Sequence, residues 1–101
     1  MTDADKNREA EFIEQCRTYQ GERLLPGSGS GSWATTYADE FIDAATALYL
    51  LYKNMGVRSP LASIAAMFRE AGIKSCRGAE MSIVKVEYLY KTHLLKKLRA
   101  T

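Results

Sequence analysis

The sequence predicts an all-α protein, a small helical bundle of about four helices with a helix-turn-helix-like pair at its end. Three observations carry this reading. Apolar residues recur at helical spacing in four stretches, and no stretch keeps a convincing strand alternation. Helix start and stop residues bracket those stretches at Ser59-Pro60, Asn54-Met55-Gly56 and Gly72. A strictly alternating tract, Gly27-Ser28-Gly29-Ser30-Gly31-Ser32, separates the first helix from the others.

That tract has the composition of a tether, flexible and free of side-chain information, and it reads as an engineered Gly/Ser linker. Six such residues span roughly 12–15 Å, enough to join elements that already lie side by side. Three parts result: residues 1–26, an amphipathic helical segment; residues 27–32, the linker; and residues 33–101, a helical helix-turn-helix-like domain. Segment 1–26 is then either a displaced arm of the same protein or a peptide fused to its receptor.

The first helix is expected from Asp3 to Tyr19, with Thr2 as its N-cap and Asp5 three residues on. Phe12, Ile13, Cys16 and Tyr19 fall at i, i+1, i+4 and i+7, one apolar stripe on a charged rod. A lone helix of this kind has no core of its own, so these four residues are the candidate docking set. Gly21 is its expected end, with Leu24-Leu25-Pro26 as a short apolar tail.

The second helix is expected over 37–54, capped by Thr36 with Asp39 at the third helical position and stopped at Asn54-Met55-Gly56. Phe41, Ile42, Ala45, Leu48, Tyr49 and Tyr52 form its inner face. Leu50 and Leu51 widen that face, which predicts contacts on more than one side. Trp33 is placed either to staple toward Phe41 or to anchor a partner.

Ser59 and Pro60 suit the N-cap and first position of the third helix. Leu61, Ile64, Ala65, Met67 and Phe68 supply its buried face, and Gly72 closes it. The fourth helix is expected over 82–98, with Ile83, Val86, Leu89, Tyr90, Leu94 and Leu98 at helical period. The β-branched Ile83, Val84 and Val86 leave a strand as the alternative for its first turns. The five tyrosines Tyr37, Tyr49, Tyr52, Tyr88 and Tyr90 are spaced for the core or its rim.

At 101 residues the chain holds one domain. Its net charge of +2 conceals a gradient. Residues 1–26 sum to −2 and residues 33–56 to −2, whereas residues 57–101 carry nine basic side chains against three acidic ones and sum to +6. A basic C-terminal half points to an anionic partner, with a solvated helical surface as the alternative. No window approaches the ~20 apolar residues of a membrane span. The N-terminus is charged and lacks a signal-peptide core, which predicts a cytoplasmic protein. Cys16 and Cys76 stand alone in different segments, as free thiols in a reducing compartment do.

The most specific string is Ile64-Ala65-Ala66-Met67-Phe68-Arg69-Glu70-Ala71-Gly72-Ile73-Lys74-Ser75-Cys76-Arg77-Gly78, followed by Ser82 and Val86. It describes a short helix, a glycine stop, an apolar anchor at Ile73, a basic turn and a longer helix. A helix-turn-helix needs such a connection to set its second helix across the first, although this one is longer than the usual three or four residues. An ordinary helix–loop–helix is the structural alternative.

Residues 60–94, through Gly72-Ile73-Lys74-Ser75-Cys76-Arg77-Gly78 and then Ser82 and Val86, resemble part of the recombinase domain of large serine recombinases. That segment has a helix, a "G-I-x-T-x-R-G" turn and a Ser/Thr-started helix. Met81 stands where an aromatic residue is usual. The chain holds no recombinase catalytic domain, so the resemblance implies duplex DNA contact and not strand cleavage. Under it, Lys74 and Arg77 approach phosphates and Ser82 donates to one at the helix start. Lys85 and Tyr88 reach base edges or backbone, and Lys91 extends the phosphate track with Lys96, Lys97 and Arg99. For those last cations, a solvated helix C-terminus is an equal reading.

No cofactor or metal is expected, since there is one histidine and no cysteine cluster to supply ligands. His93 reads as a packing residue. No activated nucleophile or phosphate loop is evident, so an enzyme is not expected. The sequence therefore predicts a DNA-binding regulator or accessory factor of a mobile element or phage, with homodimerisation through the second helix. The alternative is a helical protein-interaction module whose groove holds the 1–26 segment.

Overall fold

The computed structural model describes residues 2–19, 37–74 and 80–100 of the chain. It is all-α: α1 (Asp3–Tyr19), α2 (Asp39–Asn54), α3 (Pro60–Glu70) and a last helical run. That run comprises α4 (Ile83–Leu89), a π-helical turn (Tyr90–Leu94) and α5 (Leu95–Ala100). Among the described residues the only strand-like pairing is a single antiparallel bridge between Lys74 and Glu80. The linker at 27–32, Trp33 and Thr36 lie outside the described residues.

α1 starts with a reciprocal cap. The Asp5 amide donates to Thr2 Oγ1 at 3.2 Å, and the Thr2 amide donates to Asp5 Oδ2 at 3.4 Å. α2 begins two residues later than its spacing predicts. Ala38, in extended geometry, is the N-cap and offers no side-chain acceptor. Asp39 and Glu40 instead place negative charge in the first turn, where the helix dipole favours it. Ser59 caps α3 by position without a side-chain bond, and Pro60 opens the helix.

The C-termini of α2 and α3 share one solution. After α2, Gly56 turns left-handed at φ +77°, its amide donates to the Lys53 carbonyl, and the Val57 amide donates to the Tyr52 carbonyl at 3.0 Å. After α3, Gly72 sits at φ +74°, its amide donates to the Arg69 carbonyl, and the Ile73 amide donates to the Phe68 carbonyl at 2.8 Å. Both are Schellman motifs, which satisfy the last carbonyls and turn the chain sharply. No atom lies within 4 Å of a Cβ built at either glycine, so backbone conformation, not space, requires glycine there.

The core gathers Phe41, Ile42, Ala45 and Leu48 of α2, Ile64, Ala65 and Phe68 of α3, and Val86, Leu89 and Leu94 of the last run. Phe41 stacks on Tyr37 at 4.9 Å between centroids and tilts against Phe68 at 5.7 Å. Ile73 is fully buried, so the residue after the α3 stop anchors the turn. α2 is central, touching α1, α3, the π turn and α5. Its breadth has that cause, although the two widening leucines divide: Leu51 is buried and Leu50 exposed.

The last run departs from its sequence pattern in two respects. Its first turn is helical despite three β-branched residues, and Ile83 faces solvent instead of the core. Buried positions then step from Val86 to Leu89 to Leu94. The five-residue step from Leu89 is taken by the π turn, and Leu94 enters the core as its place in the apolar pattern predicts.

Candidate nucleic-acid interface

The segment joining α3 to α4 begins at the Gly72 stop and is pinned by Ile73. Lys74 and Glu80 then pair across it, so the two ends of the turn are held together. Arg77 lies outside the described residues, as do Ser75, Cys76 and Gly78. Lys74 is exposed. Met81, which the sequence marked only as a departure from an aromatic pattern, is fully buried and its sulfur accepts from the Tyr37 hydroxyl at 3.7 Å. This polarisable, unbranched side chain ties the entry of α4 to Tyr37, just before α2.

Ser82 caps α4. Its Oγ accepts from the Lys85 amide at 3.3 Å, which leaves the hydroxyl hydrogen free to be aimed elsewhere. Lys85 is exposed, and its ammonium donates to the Glu80 carbonyl at 3.3 Å, folding back over the turn. Lys74 and Lys85 are thus both brought to Glu80, just before α4.

Helical spacing separates the faces of α4. Val86 and Leu89 are buried, while Val84, Glu87, Tyr88 and Lys91 stand on the opposite side, all exposed. Val84 is 74% exposed and Tyr88 66%, the two largest values among the big apolar side chains of the described residues. Tyr88 therefore does not join the other tyrosines. Tyr37 and Tyr52 are buried, whereas Tyr49 and Tyr90 are half-buried with ring centroids 5.0 Å apart. The Tyr49 hydroxyl is held above its ordinary pKa by its hydrogen bond with Tyr90, with burial adding to this.

The C-terminal cations divide. Lys97 Nζ lies 2.9 Å from Asp43 Oδ1 and ties α5 to α2; the Asp43 hydrogen bond raises its pKa. It is therefore engaged within the fold, while Lys96 and Arg99 are exposed. His93 is half-buried, edge-on to Tyr37 at 6.0 Å, and burial, then Lys96, lowers its pKa. It packs, as its isolation on the helix predicts.

The docking residues of α1 come together on α2. Cys16 is fully buried, with Phe12, Ile13 and Tyr19 packed around the same core. The Cys16 thiol meets the Phe41 carbonyl at 4.0 Å, and burial pushes its pKa up to about 12. Gln15 Nε2 donates to the Glu40 carbonyl at 3.3 Å, and the Tyr52 hydroxyl donates to Glu9 Oε2 at 2.6 Å. These pairings run in opposite directions along the two helices, so α1 and α2 are antiparallel. Burial, then the Glu9 hydrogen bond, raises the Tyr52 pKa above its ordinary value.

Among the described residues, no group of three or more His, Cys, Asp or Glu side chains is placed to hold a metal ion. No helix there is long and apolar enough to cross a membrane. Compared with known proteins, the chain matches no family model, no curated protein and no solved structure.

Proposed function

We propose that this chain binds duplex DNA through the turn after α3 and the outward face of α4, as a regulator or accessory factor of a mobile element or phage. The observation that carries the reading is the division of α4. One face is fully committed to the core, and the other presents an exposed row flanked by Lys74, Lys85 and Lys91. A helix anchored on one side and open on the other with lysines at its borders, reached through a pinned turn, suits insertion into a major groove. The resemblance of residues 60–94 to a recombinase-domain segment supports the same surface.

In this reading Lys74, Arg77 and Lys91 neutralise phosphates, and the Ser82 hydroxyl donates to one. Lys85 and Tyr88 stand where base edges or backbone come within reach. Exposed Leu50 on α2 offers a contact for a second copy, and a cytoplasmic setting fits both the DNA and the lone thiols.

The test is fluorescence anisotropy of a labelled random-sequence duplex with the full chain at low and moderate salt. Binding should weaken steeply with salt, by a log–log slope of about −0.9 per phosphate contact. Reversing the charge at Lys74, Arg77 and Lys85 together should abolish it with helical content unchanged. Absence of binding at low salt defeats the reading.

The burial of Cys16 favours a second reading, a protein-interaction module that holds the 1–26 segment in a groove on α2. Fusion through a short flexible linker raises a weak peptide to millimolar effective concentration. A protease site placed within 27–32 tests this second reading: co-elution of the cleaved N-terminal fragment with the rest of the chain on gel filtration supports it, and release of the fragment counts against it.

A further inference from the structure

The outward row of α4 contains groups that phosphate binding does not use. Val84, at 74% exposure, and Tyr88, at 66%, lie one helical turn apart. Glu87 stands beside them, between Val84 and Lys91. A carboxylate is repelled by phosphate, and a valine gains nothing from it. The cations Lys85 and Lys91 lie at the flank and the far end of this row. An apolar and acidic stretch with one cation beside it and one beyond its end suits base edges on a groove floor with phosphates at its borders. Glu87 then faces an exocyclic amine, which donates to carboxylates. The apolar group that a major-groove floor offers is the 5-methyl of thymine.

We infer that Val84, with the Tyr88 ring beside it, contacts a thymine methyl group and gives the chain a preference for thymine at that position. The inference rests on the DNA-binding reading above and adds the base that α4 distinguishes. Lys91, at the end of the row, contributes affinity without regard to sequence.

The experiment measures binding of the full chain to two labelled duplexes of alternating dA and dT, identical except that one carries deoxyuridine in place of every thymidine. The thymine duplex should bind about four-fold more tightly, the ratio that corresponds to removing one methyl-sized apolar group from water, about 0.8 kcal/mol. Val84→Ala should bring the ratio close to one. Lys91→Gln should weaken both duplexes alike and leave the ratio intact. Val84 is exposed, so its truncation leaves the fold unchanged, which circular dichroism checks. Equal binding of the two duplexes by the parent chain overturns the inference and keeps the DNA reading. A four-fold ratio that survives Val84→Ala also overturns it. If neither duplex binds at low salt, the DNA reading itself fails.

Discussion

α1 and α4 each carry an apolar row on a charged helix, and the molecule treats the two rows oppositely. The α1 row, Phe12, Ile13, Cys16 and Tyr19, is closed against α2, with its polar margins satisfied by Glu9–Tyr52 and Gln15–Glu40. The outward row of α4 stays open at Val84 and Tyr88, with lysines at its edges. A covered row contributes to stability, and an open one is available for the DNA contact proposed above. The comparison therefore makes a clear division: substitutions on α1 should show in the melting curve and those on α4 in binding.

The strongest way to break that division is a charge inside the covered row. Cys16→Asp would bury a carboxylate beside the Phe41 carbonyl with no donor in reach, which costs several kcal/mol, about 3 or more. Thermal denaturation should show a large fall in Tm or loss of the cooperative transition. An unchanged Tm would mean that α1 is not seated on α2.

A milder pair of variants sharpens it. Phe12→Ala with Ile13→Ala removes two half-buried side chains and should cost about 2–4 kcal/mol in chemical denaturation, below the full core value for each. Val84→Ala with Tyr88→Ala should stay within about 0.5 kcal/mol of the parent, as exposed substitutions do. Equal losses from the two pairs would erase the distinction between the rows.

Tyr52→Phe deletes the hydrogen bond to Glu9 and should cost about 1–2 kcal/mol, since Glu9 is only half-buried and can be rehydrated. Equilibrium denaturation of this variant reads the bond directly. No loss would show that the Tyr52–Glu9 bond does not contribute to holding the two helices together.

The smallest effect is on alkaline stability. Burial raises the folded pKa of Cys16 to about 12, and that of Tyr52 also lies above its ordinary value. Both groups are neutral in the folded and unfolded chain below about pH 8, so their contribution is fully present there. As pH rises past the unfolded values, the unfolded chain loses these protons first, and stability falls until the folded groups ionise. Melting temperature should therefore decline from about pH 9 upward, and less steeply in Cys16→Ala relative to its own neutral-pH value. An identical slope in that variant would remove the thiol from the account.

Much of this division was legible beforehand. The α1 stripe could be read because i, i+1, i+4 and i+7 spacing on an otherwise charged helix admits one face only. The stops at Gly56 and Gly72 were equally plain, because a left-handed residue followed by an apolar one is a local solution that needs no tertiary partner. The outward row on α4 was only half legible. Lys85 and Tyr88 stand out as possible DNA contacts, although tyrosine spacing also places Tyr88 at the core or its rim, and Val84 is hidden in a β-branched run whose propensity argues for a strand. Ile83 was assigned to the core by period, yet helix start geometry turns it outward.

Local chemistry in the sequence by itself determined four helical stretches, their stops, the capping of α1 by Thr2 and Asp5, and the charge gradient along the chain. These depend on side chains within a turn or two of one another. Tertiary structure decided where each helix faces. The helical period places Leu94 on the inner face, and the structure buries it there, but through a π turn that the period does not record. It also decided that Met81 is buried against the Tyr37 hydroxyl, and that Lys97 pairs with Asp43. Those outcomes turn on partners more than 40 residues away in the chain, which no local pattern records.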